Sequence, residues 1–595
     1  MSAQLEEVVW DLDHLVEGEA GVHAALERAH GLAEVFASQY RGALSAIDAS
    51  GLRAAMEQLA EIHDLVGRAA SYAQLRFSTD TAEPSRGALM QLVDERATAL
   101  QTKLLFFELE WAALEETRAE QLLAAEGLDF CRHHLRTARR YRPHLLSEPE
   151  ERIDAEKSLT GASAWARLFE EQCSAIEVQL EGEEQPRSLD QALSLLASPE
   201  RELRARTAAA VTRALEPGLR TRAFIFNTLL ADKATDDRLR VYPGWLASRN
   251  LANEASDESV QALIAAVRGR YELPRRWYTL KAQLLGIDKL ADYDRMAPVS
   301  TEDLKVEWPE ARELVCDAYG SFSPRLGSLV ERFFEERWID APPGPRKRGG
   351  AFCAYTVPSA HPYVMLNYTG RRRDVLTLAH ELGHGVHAAL AAEQGIYHQG
   401  TPLTLAETAS VFGEALVFGQ LLERAPDPAS RLALLAEDIE GAIATVFRQV
   451  AMNRFEDLAH TERRERGELP VERFGELWHE SQSEMLAGSV ELTEGYRTWW
   501  SYIPHFINVP GYVYAYAYGQ LLALSVYQRY LEQGAEFEQQ YLALLSAGGS
   551  MSPEKLGRLV GIDLADPGFW DSGLDLVENA LQATEDAAKD VQEGR

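Results

Sequence analysis

The sequence predicts a mainly α protein with one small β element placed just ahead of a histidine-bearing helix. Three patterns carry this reading. Apolar residues recur at helical spacing through most of the first two hundred positions, most clearly over 100–114 and 128–140. Two short β-like runs, Gly349-Gly350-Ala351-Phe352-Cys353-Ala354-Tyr355 and Tyr363-Val364-Met365-Leu366-Asn367, are separated by Pro358 and Pro362. Directly after them, Val375-Leu376-Thr377-Leu378-Ala379 and then Val386, Ala388, Ala389 and Leu390 place apolar side chains at the spacing of a buried helix.

In chain order, the helical pattern runs to a turn-rich acidic loop, Glu181-Gly182-Glu183-Glu184-Gln185-Pro186. An N-terminal helical lobe is therefore expected over 1–195. Ser198-Pro199-Glu200 then supplies an N-cap, a first-turn proline and an acid matched to the helix dipole, so a helix is expected to start there. Helices continue to about 340. The second domain, 196–595, holds the short strands within 350–370, the histidine helix and a following helix within 374–420, and an aromatic segment at 505–520. The polar tail from Ala583 is expected to fray.

The formal charge of −32 argues against nucleic acid or an anionic membrane as a partner, since both reward a basic surface. Cys131, Cys173, Cys316 and Cys353 lie far apart in sequence, which suits a reducing compartment better than a disulfide framework. The N-terminus is acidic and lacks the basic start and apolar core of a signal peptide. The richest apolar stretch, 512–527, contains Gly519 and Gln520 and is shorter than the roughly 20 residues a spanning helix needs. A cytoplasmic chain is expected.

His380-Glu381-Leu382-Gly383-His384 concentrates the chemistry. Four residues' separation puts both imidazoles on one helical face, roughly one 5.4 Å turn apart, so both can reach one ion. Zinc lowers the pKa of a bound water toward about 7, and Glu381, next to the first histidine, can take its proton. That is the chemistry of metal-dependent hydrolysis. A catalytic zinc usually takes a third protein ligand. His387, about 10.5 Å along the axis from His380, cannot share one ion with both histidines. Gly395 and Gly400-Thr401-Pro402 break the chain before a second helical run that carries Glu407 and, two turns on, Glu414. Either carboxylate can ligate while the other orients a histidine, and spacing leaves the choice open.

Pro362-Tyr363-Val364-Met365-Leu366-Asn367-Tyr368-Thr369-Gly370, the stretch His380 to His387, and Glu407-Thr408-Ala409-Ser410-Val411-Phe412-Gly413-Glu414 resemble, in order, signature blocks of the oligoendopeptidase F family, relatives of thimet oligopeptidase and neurolysin. The resemblance implies a neurolysin-like, two-lobed helical metallopeptidase with a deep central cleft, in which 196–595 is the catalytic domain. It implies one Zn2+ per chain held by His380, His384 and Glu407. A fourth block, Pro504-His505-Phe506 followed by Tyr512-Val513-Tyr514-Ala515-Tyr516-Ala517-Tyr518-Gly519, is similar to the region from which relatives use a histidine and tyrosines to bind substrate and oxyanion. By that likeness His505, Tyr512 and Tyr516 are the candidates, since imidazole and phenol donate well to developing negative charge. Tyr514 and Tyr518 read as core packing. Gly511 stands where relatives are expected to carry a bulkier aromatic residue.

The function so implied is a zinc-dependent oligoendopeptidase acting on short unstructured peptides, with Glu381 as general base. The strand region offers an edge that could hold a peptide through its main chain. Two other readings remain: a carboxypeptidase gripping a terminal carboxylate with Arg346-Lys347-Arg348 or Arg371-Arg372-Arg373, and a non-catalytic peptide binder in which zinc staples helices.

Overall fold

Among the described residues helices predominate, and strands appear only as short pairs and one three-stranded sheet. The computed structural model describes residues 3–594 apart from Leu159, residues 301–304, Pro345 and Pro567. Two compact units emerge: Met1–Glu148, Asp303–Glu423 and Ala523–Leu564 form one, and Pro149–Glu302, Arg424–Leu522 and Ala565–Arg595 the other. This grouping cuts across the boundary expected at residue 195. The chain passes from one unit to the other after residues 148, 302, 423, 522 and 564, so no single cut separates them. A turn-rich loop marks the end of an element, which need not be the end of a body.

In the first unit, α1 (Gly18–Tyr40), α2 (Ala49–Thr79) and α3 (Pro84–Ala113) share a core of Phe36, Leu52, Met56, Phe106, Phe107 and Trp111. Their ends are written locally. Asp48 caps α2 by accepting the Gly51 N–H at 2.7 Å, and α3 opens on Pro84, whose fixed φ suits a first turn. A second cluster joins Trp10, Val22, Leu26, Tyr72 and Val93 to Tyr363 and Met365, which seats a small sheet on this helical layer.

That sheet has β1 (Ile339–Asp340), β2 (Phe352–Ala354) and β3 (Tyr363–Met365), in the order β1-β3-β2. β1 runs parallel to β3. β2 runs antiparallel to it, with Phe352 opposite Met365, Cys353 opposite Val364 and Ala354 opposite Tyr363. The two strands expected from sequence are therefore present but shorter, and β2 lies at an edge. β1 carries too few residues to show a period.

α4 (Arg372–Ala391) and α5 (Leu403–Glu423) follow, and glycines set their spacing. A Cβ on Gly383 would overlap the Ala409 carbonyl oxygen and lie 2.5 Å from Ser410 Cα, so the backbones meet only because that atom is missing. Gly413 likewise makes room for the Tyr319 hydroxyl, which donates to the Ala379 carbonyl at 2.8 Å. Among the described residues, the stretch Thr404–Glu423 of α5 is the one long and apolar enough to cross a bilayer by composition. In the fold those small and apolar residues pack against α4, and the stretch carries Glu407 and Glu414.

The second unit packs Leu219–Leu239, α6 (Arg448–Arg466), Val471–Leu486 and the 3₁₀ segment Glu494–Tyr502 around Phe226, Phe455, Phe474, Trp478, Trp500 and Phe506. Two expectations are corrected here. The helix placed at Ser198 starts instead at Arg201, because the buried Arg204 guanidinium takes the Ser198 and Pro199 carbonyls as acceptors at 2.7 and 3.0 Å and keeps them out of the helical ladder. The tail from Ala583 does not fray at once: the last helix, Phe569–Gln592, runs nearly to its end because Thr584, Ala587 and Ala588 present a buried face.

Replacing Gly383 with alanine should force α4 and α5 apart at a backbone contact that cannot yield by side-chain rotation. The expected loss is about 1–3 kcal/mol or more, read as a lower midpoint in urea with an unchanged slope. Alanine at Gly441, inside the helix Pro428–Ala442 with open space around it, should instead leave the midpoint unchanged or raise it, by up to about 1 kcal/mol.

Candidate active site

α4 starts after Arg371, whose backbone is extended, and Asp374 fastens the first turn. Its Oδ2 accepts the Thr369 N–H at 2.7 Å, the Thr369 hydroxyl at 2.8 Å and the Arg371 N–H at 3.1 Å. From this anchored start, helical phase turns His380 and His384 to one side with ring centroids 5.0 Å apart. α5 brings Glu407 to them: its Oε2 lies 3.3 Å from His380 Nε2 and 3.6 Å from His384 Nε2. Ligand atoms of His380, His384 and Glu407 all lie within 4.8 Å of one another. Glu414, two turns further along α5, reaches the other nitrogen of the same ring, with Oε2 3.1 Å from His380 Nδ1. The two carboxylates that spacing left interchangeable thus occupy different sides of one imidazole.

The electrostatics follow from that placement. Burial opposes a charged His380, but Glu407 and Glu414 outweigh it and raise its pKa to about 10. Burial would lift the Glu407 carboxyl, yet His380, His384 and the Ser410 hydroxyl, 2.7 Å from Oε2, hold it at about 2. His384 is pushed down to about 4 by burial against the pull of Glu407. Two imidazoles and a carboxylate converging in this way, with a second carboxylate behind one ring, form an anion-rich donor set that calls for a cation. Its nitrogen and oxygen donors fit zinc or a similar divalent ion.

Glu381, next to the first histidine in the helix, is buried. Burial lifts its pKa to about 7, with His380 and the Cys353 backbone N–H pulling the other way. Since Cys353 belongs to β2, the edge strand helps hold this carboxylate. His387 is also buried, held neutral with a pKa of about 3, and stands outside the cluster. Tyr355, the residue after β2, is one that sequence reasoning passed over. Its ring lies 6.4 Å from that of His384 and its hydroxyl is buried without a hydrogen-bond partner. A single tyrosine beyond a three-residue strand gives no periodic signal. Of the basic runs, Arg346 pairs with Asp80 at 2.9 Å, Lys347 is buried against Asp340, and the Arg348 guanidinium lies over Phe352.

The second unit holds the aromatic segment. His505 opens a short helix, His505–Asn508, and Tyr514–Gln533 forms the next, so Tyr512 precedes the helix that contains Tyr516. The two tyrosine rings still meet edge-on at 5.0 Å, and His505 Nε2 lies 3.4 Å from the Tyr516 hydroxyl. Tyr514 is fully buried and accepts from Asn253 Nδ2 at 2.9 Å, while Tyr518 packs on Trp570. Gly511 turns the chain at φ +72°, where a Cβ would lie 2.6 Å from Leu246 Cδ1. The bulkier residue expected in relatives would have no room at this turn. The Gly511 N–H donates at 2.9 Å to Glu456, a carboxyl on α6 with no exposed surface.

Residues 325–576 match peptidase family M3 and residues 110–177 match oligopeptidase F. Oligopeptidase PepF of Bacillus subtilis (strain 168) is 26% identical across 93% of this chain and 84% of its own length. Group B oligopeptidase PepB of Streptococcus agalactiae is 28% identical across 86% of each. A crystal structure from Chlamydophila abortus shares the fold with a TM-score of 0.85 at 23% identity over 99% of each chain. Oligoendopeptidase-F from Enterococcus faecium does so with a TM-score of 0.72 at 23% identity, covering 95% of this chain and 98% of its own.

Burial lifts the Glu456 carboxyl to about 8 against the Gly511 N–H and Arg249. A folded-state pKa above the unfolded value makes stability fall as pH rises from about 4.5 through 8, because the unfolded carboxyl ionises freely while the folded one stays protonated. Glu456→Gln keeps the acceptor and cannot ionise. Its stability relative to the parent, measured in urea, should therefore rise by up to about 4 kcal/mol between pH 5 and 9 and level off above.

Proposed function

We propose that this chain, a metalloendopeptidase of peptidase family M3, uses one zinc ion held by His380, His384 and Glu407 to hydrolyse internal bonds of short unstructured peptides. The carrying observation is the convergence of two imidazoles and one carboxylate within 4.8 Å, beside the buried carboxylate of Glu381. When bound, zinc supplies Lewis acidity, which makes a peptide carbonyl more electrophilic and water easier to deprotonate near neutrality.

The chain's own side chains divide the remaining work. Glu414 holds the Nδ1 side of His380, which fixes the ring so that Nε2 faces Glu407. Glu381 accepts the proton of the attacking water at a carboxylate oxygen and passes it to the leaving amide nitrogen. The Cys353 N–H keeps that carboxylate in place. His505, Tyr512 and Tyr516 are the proposed donors to the oxygen that becomes negative as the carbonyl turns tetrahedral. Their support is the block order in the sequence and their mutual packing at 3.4 to 5.0 Å. An extended peptide suits the outer edge of β2, beyond the Cys353 N–H that Glu381 takes, and main-chain binding there would not read side chains. The carboxypeptidase reading loses Arg346 and Lys347 as grips, because Asp80 and Asp340 already hold them. Four cysteines without a disulfide support a cytoplasmic location.

A quenched fluorescent peptide gives the direct test. Cleavage should disappear with a chelator and return with zinc, and Glu381→Gln should lower kcat by about 10²–10⁴-fold while still retaining one zinc per chain. Full activity under chelation, or in Glu381→Gln, would defeat the proposal. Mass spectrometry should find paired internal fragments; a ladder shortened one residue at a time from the C-terminus would make the enzyme an exopeptidase.

A further inference from the structure

Tyr355 stands at the junction of the two features the peptidase reading needs, the edge strand and the ligand set. It follows β2 directly, its ring lies 6.4 Å from His384 at 54°, and its hydroxyl is buried with no hydrogen-bond partner. Such a group is unfavourable in a folded chain unless something absent from the chain completes it. The nearby acceptors are otherwise engaged: Glu381 takes the Cys353 N–H, and Glu407 takes the Ser410 hydroxyl and faces both histidines. Burial, reinforced by the Cys353, Glu407 and Glu381 groups, raises the phenol's pKa, so this hydroxyl acts as a neutral donor and never as a base. What a peptide lying along an edge strand offers in this position is a row of main-chain carbonyl oxygens, each with a free lone pair.

We propose that Tyr355 Oη donates a hydrogen bond to a main-chain carbonyl oxygen of the peptide bound beside His384. Tyr355 is then a catalytic residue supplied by the same unit as the metal ligands. The inference rests on the peptidase reading above. It also accounts for the hydroxyl: the interaction exists only with substrate in place, so the cost of leaving the group unpaired falls on the free enzyme and is relieved on binding.

Tyr355→Phe removes that one oxygen. With zinc still at one per chain, kcat/KM for the quenched peptide should fall about 10- to 100-fold. The affinity for a phosphinic pseudopeptide, measured by calorimetry, should fall by a similar factor. Affinity for acetohydroxamate, which grips the metal without a peptide chain, should stay at the parent value. The chelated variant should melt at the same temperature as the chelated parent or higher, since an unpaired buried hydroxyl has been removed. Unchanged kcat/KM and phosphinate affinity would overturn the inference. So would a lower melting point or a failure to fold, either of which would make the hydroxyl structural. Failure of the peptidase reading is a separate result, seen in the parent protein as cleavage that survives chelation or does not occur.

Discussion

Everything at the candidate centre depends on how closely α4 and α5 approach. Gly383 lets the Ala409 carbonyl and Ser410 Cα come within the space a side chain would occupy, and Gly413 opens a place for Tyr319 on the same interface. With the backbones at that distance, a glutamate on α5 can put one oxygen between two imidazoles on α4. A wider spacing would leave Glu407 short of His384, since its Oε2 already stands 3.6 Å from Nε2. Helical phase decides which residues face the gap, and the glycines decide how wide the gap is.

The second constraint is the cost of burying charge. Three partly buried ligand groups and a carboxylate behind one of them cannot stay together without a proton or a cation to balance them. The chain expresses this in the divergent acidities of His380 and Glu407, one driven far up and the other far down. A divalent ion would balance the same set, because ligand atoms of both rings and the carboxylate lie within 4.8 Å of one another. Glu381 belongs to the same helix but takes its partner from the edge strand, so the ligand set and the proposed base are oriented by different elements.

The aromatic segment of the second unit is built on a similar economy of space. Gly511 turns where no Cβ fits, and its N–H is taken by a carboxyl buried inside α6. That turn brings Tyr512, which precedes its helix, edge-on to Tyr516 within it, and places His505 beside both. Tyr514 and Tyr518 are spent on packing, against Asn253 and Trp570. Every second residue from 512 to 518 is a tyrosine, and the alternation divides between the proposed donors and the core because the helix begins partway through it.

The helical class, the histidine pair, the neighbouring Glu381 and the strand region ahead of them were legible in the sequence, because each is a pattern within one element and helix or strand geometry converts such spacing into a shared face. The choice between Glu407 and Glu414 lay beyond spacing, since both lie on one face of α5; only the packing of α5 on α4 assigns them to opposite sides of His380. The compact units cut across the division expected at residue 195 for a related reason: segments far apart in the chain fold together, and local composition does not record which ones meet. Tyr355 and Glu456 stayed invisible for the same cause. Each is an ordinary residue in its own stretch, and its significance comes from a hydroxyl left unpaired, or a carboxyl left without water, once distant segments have closed around it.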